Sequence, residues 1–198
     1  MEAMSFFRRL FGGETSAHYR TGMRAFDAGE YERALQSFQR ALDAGSPRCD
    51  PIAHLAAFYA AEAALHLGRR ALQAGDAATA LRWLEPALGG TAVSPALLEV
   101  AALAYLETGG TDAALACLQP LLRVDPLRLE AHWMAALVHH ERGDAVRAAQ
   151  HLHAVRAQAV SSKLSPRLYR ILEARAPTFP DLARLLRDFV PSPQSSGV

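Results

Sequence analysis

Histidine is the residue type here whose number and placement invite a chemical reading. The chain has eight, and five of them, His132, His139, His140, His151 and His153, fall between positions 132 and 153. Neutral imidazole is a common metal ligand, and two histidines seven apart on a helix lie on one face, about two turns apart. His132 and His139 have that spacing, and His139 and His151 fall on stretches that would pair as neighbouring helices. A zinc protease writes its ligands as HExxH, and a structural zinc site needs clustered Cys and His. Neither pattern occurs, so the histidines read as surface and interhelix residues and no metal is expected.

The other nucleophiles and bases are sparse. Cys49 and Cys117 are the only cysteines, too few for a disulfide framework or a zinc site, and neither carries a neighbouring base motif. They read as free thiols of a reducing compartment. No glycine-rich phosphate loop and no GxSxG elbow is present. His140 beside Glu141, and Asp27 near Glu30, are explained by helix ends and turns. The expectation is a chain that is not an enzyme and takes no cofactor.

Composition sets further bounds. The 198 residues carry 21 Lys+Arg against 20 Asp+Glu, a net charge of +1, with 51% hydrophobic residues. That apolar fraction suits a packed core, and the balanced charge argues against a nucleic-acid partner held by phosphate attraction. No apolar run approaches the ~18 residues of a membrane span. The opening MEAMSFFRRLFGG lacks the long apolar core of a secretory signal, which points to the cytoplasm. Abundant Ala, Leu and Arg favour helices and suggest a GC-rich bacterial source.

The elements that position these residues repeat. Gly75, Gly109 and Gly143 recur every 34 residues, followed by Asp76, Gly110 and Asp144. Ala80, Ala114 and Ala148 keep the register, as do Leu84, Leu118 and Leu152, and upstream Gly68, Ala102 and Ala136. An earlier copy supplies Gly22, Gly29, Glu30, Ala34, Phe38 and Ala41, displaced by about 12 extra residues. Small residues suit the close approach of two helices, and a Gly-acid turn ends one helix and opens the next. Asp50-Pro51, Ser94-Pro95, Asp125-Pro126 and Ser165-Pro166 each read as a capping residue before a first-turn proline.

These columns resemble the tetratricopeptide repeat, a helix–turn–helix of 34 residues. Leu67-Gly68, Tyr105, Pro126 and Trp133 fit it as well. The resemblance implies an all-α fold: a right-handed α-solenoid of helix–turn–helix repeats with C-terminal capping helices. The repeats would span 15–162, as 15–48, 49–94 with an insertion, 95–128 and 129–162. Before them lies an amphipathic segment, 1–14. Capping helices follow over 163–190, near 166–175 and 180–190, and then a tail, 191–198, expected to be disordered. The first helix of the fourth repeat is expected over 127–142.

Two departures stand out. The insertion most simply lengthens a helix over 51–74 by about 18 Å at 1.5 Å per residue. Its Ile52, Leu55, Phe58 and Tyr59 would pack on the first repeat or form a docking or homodimer surface. Pro86 and Pro120 sit at equivalent places in second helices, where each is expected to kink or end its helix and change the superhelical curvature.

The resemblance also implies which residues face a ligand in the concave groove. In the first repeat they are Tyr19, Met23, Phe26 and Asp27; in the second, Glu62, Leu65, Arg69 and Leu72. The third contributes Glu99, Leu103, Leu106 and Glu107, and the fourth Glu130, Trp133, Leu137, His140 and Glu141. Such a groove is apolar in the middle and acidic at its margins. It suits a peptide or amphipathic helix with apolar anchors and basic flanks. The Lys and Asn that clamp a terminal carboxylate in chaperone-binding members are missing at the matching places. Small secretion chaperones built on this repeat are typically acidic and three-repeat, a poorer fit.

The reading is a non-enzymatic adaptor that binds another protein in the groove. The alternative is a peripheral membrane-associated or self-associating scaffold. It would use Phe6, Phe7, Leu10 and Phe11 beside Arg8 and Arg9 as a weak membrane contact, and the extended helix as a dimer surface.

Overall fold

The computed structural model describes residues 13–45, 50–158 and 164–187. The amphipathic residues Phe6, Phe7, Leu10 and Phe11, the expected tail and Cys49 lie outside them. Among the described residues there is no strand. The helices are α1 (Gly13–Asp27), α2 (Tyr31–Ala44), α3 (Pro51–Gln73), α4 (Ala77–Leu88) and α5 (Pro95–Thr108). They continue with α6 (Thr111–Val124), α7 (Leu129–Glu141), α8 (Ala145–Gln158), α9 (Pro166–Arg175), a 3-10 turn (Ala176–Thr178) and α10 (Pro180–Leu186). No described helix is long and apolar enough to cross a membrane.

The repeat glycines do what the pattern asks of them. Gly29, Gly75, Gly109 and Gly143 all have positive φ, between 75° and 86°. An L side chain is strained there, whereas glycine is not. The residue after each glycine donates its N–H to the carbonyl five residues back: Glu30 to Ala25 (2.8 Å), Asp76 to Ala71 (2.9 Å), Gly110 to Tyr105 (2.8 Å) and Asp144 to His139 (2.8 Å). These are the outer bonds of a Schellman stop, which satisfies carbonyls the helix end would otherwise orphan. Asp76 then starts α4 by accepting the Thr79 N–H at 2.8 Å, and Asp144 accepts the Arg147 N–H at 3.1 Å.

The proline starts divide. Asp50 caps α3 through the Ile52 N–H (2.8 Å), and Ser94 caps α5 through the Leu97 N–H (3.2 Å). Asp125-Pro126 does not open α7. Asp125 accepts the Leu127 N–H at 3.3 Å and its carbonyl accepts the Arg128 N–H at 3.2 Å, closing a separate turn. The helix therefore starts at Leu129 and not at 127. Pro86 and Pro120 do not end their helices either. Pro86 falls in the closing turn of α4, and α6 runs past Pro120 to Val124.

The packing divides the chain into two compact units, residues 1–101 and 102–198. In the first, α1 and α2 form one antiparallel pair and α3 and α4 another, with α2 also packed on α3. Each pair closes on a glycine. A Cβ at Gly22 would stand 2.6 Å from Phe38 Cε1, and one at Gly68 2.6 Å from Leu84 Cδ2, and both facing side chains are fully buried.

An aromatic cluster fills the space above α2. Phe26 meets Tyr31 at 5.3 Å and Tyr59 at 5.6 Å edge-on, and Tyr31 stacks on His66 at 4.3 Å. The insertion lengthens α3 to 23 residues, as its spacing requires. Its inner side buries Ala53, Ala56, Ala60 and Ala63, and Tyr59 joins the cluster. On the outer side Leu55 is 44% and Phe58 46% exposed. The helix therefore both packs on the first repeat and presents apolar surface to water.

In the second unit α7 is enclosed. Ala131 and the run from Trp133 to His139 are all buried. It packs between α6 and α8, and α9 lies against it as well. The capping segment buries Leu164, Leu168 and Leu172, then Phe179, Leu182, Leu185 and Leu186. This matches the capping helices expected from the sequence, because an open repeat end would leave that apolar surface in water.

Candidate partner-binding face

In the first unit the positions expected to face a ligand lie on α1 and α3. Tyr19, Met23 and Phe26 are half-buried and Asp27 is exposed. The Tyr19 phenol is pushed up from its ordinary range by burial, then by neighbouring Tyr59 and Asp27, so it stays a neutral donor. On α3, Glu62 is half-buried and Arg69 exposed. Leu65 and Leu72 are corrections: they are 2% and 4% exposed and belong to the core. Their side of α3 packs on neighbouring helices, so no ligand reaches them. Glu99 on α5 is half-buried.

In the second unit the correction is larger. Leu106, Trp133 and Leu137 are at most 1% exposed and cannot serve as ligand anchors. For Trp133 and Leu137 the reason is the apolar run Trp133–Val138 of α7, which neighbouring helices enclose. Leu103 keeps partial exposure. The polar positions are engaged by the chain's own C-terminal segment. Glu107 holds Arg167 through a two-point pair, and Glu141 holds Arg175. Glu130 accepts the Ser165 backbone N–H at 2.5 Å and its hydroxyl at 3.2 Å. His140 stacks face to face on Phe179 at 3.9 Å, and its Nε2–H donates to the Thr178 carbonyl at 2.9 Å. Ser165, read in the sequence as a helix cap, donates to Glu130 instead.

The histidines form a pair and a stack. His132 Nε2 lies 2.9 Å from the Pro126 carbonyl and must carry the hydrogen that it donates there. Its Nδ1 then accepts from His151 Nδ1–H at 3.0 Å. His139 stacks on His151 at 5.5 Å and approaches Asp144 Oδ2 at 3.7 Å. Burial first, then His132 and His139, push His151 down to about 4. Burial also lowers His139, partly countered by Asp144. Among the described residues no group of three or more His, Cys, Asp or Glu is arranged to hold a metal. Cys117 is buried, and burial pushes its thiol up to about 11, far from a nucleophile's range.

One concavity was not expected. α2 and α4 stand apart over α3 and leave a cavity of about 360 Å³, floored by Ala57, Ala61 and Ala64 and walled by Leu35, Leu42 and Trp83. The alanine run in α3 is the sequence feature that marks it, since residues this small cannot fill the space between two splayed helices.

The comparisons follow this geometry. The tetratricopeptide repeat family model matches residues 19–95 and 100–161. No curated protein matches the chain. Among solved structures, a crystal structure of MamA protein superposes with TM-score 0.53 at 16% identity, covering 89% of this chain and 88% of that one. A tetratricopeptide repeat protein from Parabacteroides merdae gives 0.53 at 22%, over 88% of this chain and 64% of that one. A second MamA structure gives 0.50 at 16%, over 84% and 91%. At such identities the structures are similar in fold. The left-handed glycine stops, the close packing at Gly22 and Gly68 and a family match over well beyond half its length agree: the chain belongs to the tetratricopeptide repeat family.

Proposed function

We propose that the protein is a non-enzymatic adaptor that docks a segment of another protein on the face formed by α1 and α3 of the first unit. One observation carries the reading. Asp27 and Arg69 are exposed and Tyr19, Met23, Phe26 and Glu62 partly so at the edge of the first unit's core, whereas in the second unit, Leu103 apart, the equivalent positions are buried or engaged by the chain's own C-terminal segment. Partly exposed aromatic and Met side chains flanked by carboxylates fit an amphipathic helix with apolar anchors and basic neighbours. Arg69 adds one position where the ligand would carry an acid.

The test is a helical peptide library selected on the folded full chain. The best binder is then measured on the wild type and on Met23→Glu combined with Glu62→Lys. A loss of at least about tenfold is expected, since truncating or charging a central anchor commonly costs over 1 kcal/mol. Equal affinity in a folded variant overturns the assignment.

The outer side of α3 supports a second reading, self-association. Leu55 and Phe58 stand nearly half exposed on consecutive turns of one helix. An apolar surface in that position suits a second copy of the same helix.

A further inference from the structure

The C-terminal segment does more to the second unit than close it. An array end needs an apolar cover, and Leu168, Leu172, Leu182, Leu185 and Leu186 supply that. A cover does not need charge and ring contacts at Glu107, Glu130, His140 and Glu141. Yet each of these positions has its own counterpart on the segment: Arg167, Ser165, Phe179 and Arg175. These are positions through which a repeat of this kind meets a ligand. The occupant has the chemistry of one, a short helix with arginines facing carboxylates and an aromatic ring beyond them.

The contacts are open to competition. The paired side chains are only partly covered: Arg167 is 27% and Glu107 17% exposed, Arg175 39% and Glu141 24%. Both arginines stand on α9, whose 10 residues are too few for a helix stable alone.

We infer that residues 164–187 act as a tethered ligand on the ligand-facing side of α5 and α7, holding the place of an arginine-bearing helix, so that a partner reaches this side only by displacing them. The inference concerns a different face from the one proposed above and shares with that reading only the repeat positions taken as ligand-facing. Tethering gives the segment a high effective concentration, so a competitor in trans is excluded until the tether's own contacts are weakened.

The experiment uses the full chain and a fluorescent synthetic peptide of residues 164–187. The wild type is expected to bind the peptide weakly. A full-length Arg167→Glu/Arg175→Glu variant is expected to bind it at least about tenfold more tightly. Adding Glu107→Arg and Glu141→Arg should abolish that gain. A folded Arg167→Glu/Arg175→Glu variant that binds the peptide no better than the wild type overturns the inference. Hydrogen exchange on the unmodified chain tests it without substitution. Raising salt from ~0.05 to ~0.5 M should speed exchange in α9 more than in α8, because screening weakens partly exposed pairs. Equal protection of α9 and α8 at both salts overturns the inference as well.

Discussion

Protonation of His151 should destabilise the second unit by a predictable amount. Its Nδ1–H donates to His132 Nδ1, whose ring is fixed by the bond from Nε2–H to the Pro126 carbonyl. A second proton on His151 would face His139, stacked at 5.5 Å, and Arg123, which lines a cavity with both rings, while the Asp144 carboxylate lies beside His139 at 3.7 Å. Burial first, then His132 and His139, hold His151 at about 4, against 6.5 for an ordinary histidine. Between those values the unfolded chain binds more protons than the folded one. Stability is therefore complete above pH 6.5 and is lost as pH falls toward 4.

Taken whole, that interval corresponds to about 3.4 kcal/mol at 1.36 kcal/mol per tenfold change. The ring is partly exposed and water screens it, so about 1–2 kcal/mol is expected. His139, also lowered by burial, acts in the same direction. The assay is urea unfolding followed by helical circular dichroism at about pH 7.5 and about pH 4.5, on the wild type and on His151→Gln. The wild type should lose about 1–2 kcal/mol more than the variant across that interval. Taking the difference cancels the carboxylates common to both. Equal losses would refute the buried neutral histidine.

Three further outcomes follow from the packing. Gly75→Ala places an L side chain at φ 86° and should cost about 1–2 kcal/mol, read as a lowered unfolding midpoint. Gly68→Ala gains about 1 kcal/mol of helix propensity but drives a Cβ to 2.6 Å from buried Leu84. Overpacking of about 1–3 kcal/mol should win, and a stabilised variant would show that Leu84 yields. Leu55→Glu with Phe58→Glu should leave helicity unchanged and turn any dimer into monomer by sedimentation velocity; an unchanged sedimentation coefficient in a dimeric protein removes the outer side of α3 as its interface.

Much of the fold was legible because it rests on local chemistry. A glycine at each left-handed stop, an acid after three of them and small residues at helix crossings are properties of a few neighbouring residues, and they placed the turns at Gly29, Gly75, Gly109 and Gly143. The length of α3 was legible because nothing between Ile52 and Gln73 stops a helix. Asp125-Pro126 misled because the same dipeptide caps a helix or closes a turn, and the residues after it decide.

Which of the expected groove positions keep exposure was legible in part, holding at Asp27 and Arg69 and failing at Leu65, Leu72, Leu106, Trp133 and Leu137. Nothing within the fourth repeat says that Trp133 is enclosed, since the partners of its neighbours come from residues 165–179. Arg167 and Glu107 are 60 positions apart. Contacts of that range depend on how the chain returns over itself, and residue spacing does not encode it. The histidine pair lies between these cases. The approach of His139 to His151 follows from helix pairing, but the His132–His151 bond depends on which ring nitrogen the Pro126 carbonyl claims.

Cys117 gives the second unit a clock. Its thiol sits on α6, buried, with its ionisation pushed up to about 11. A modifying reagent needs both access and thiolate, and the closed unit supplies neither. Every reaction at this sulfur therefore records an opening of the surrounding helices. With Cys49 replaced by serine, the rate of labelling by a small thiol reagent would count those openings at a residue the chain already carries.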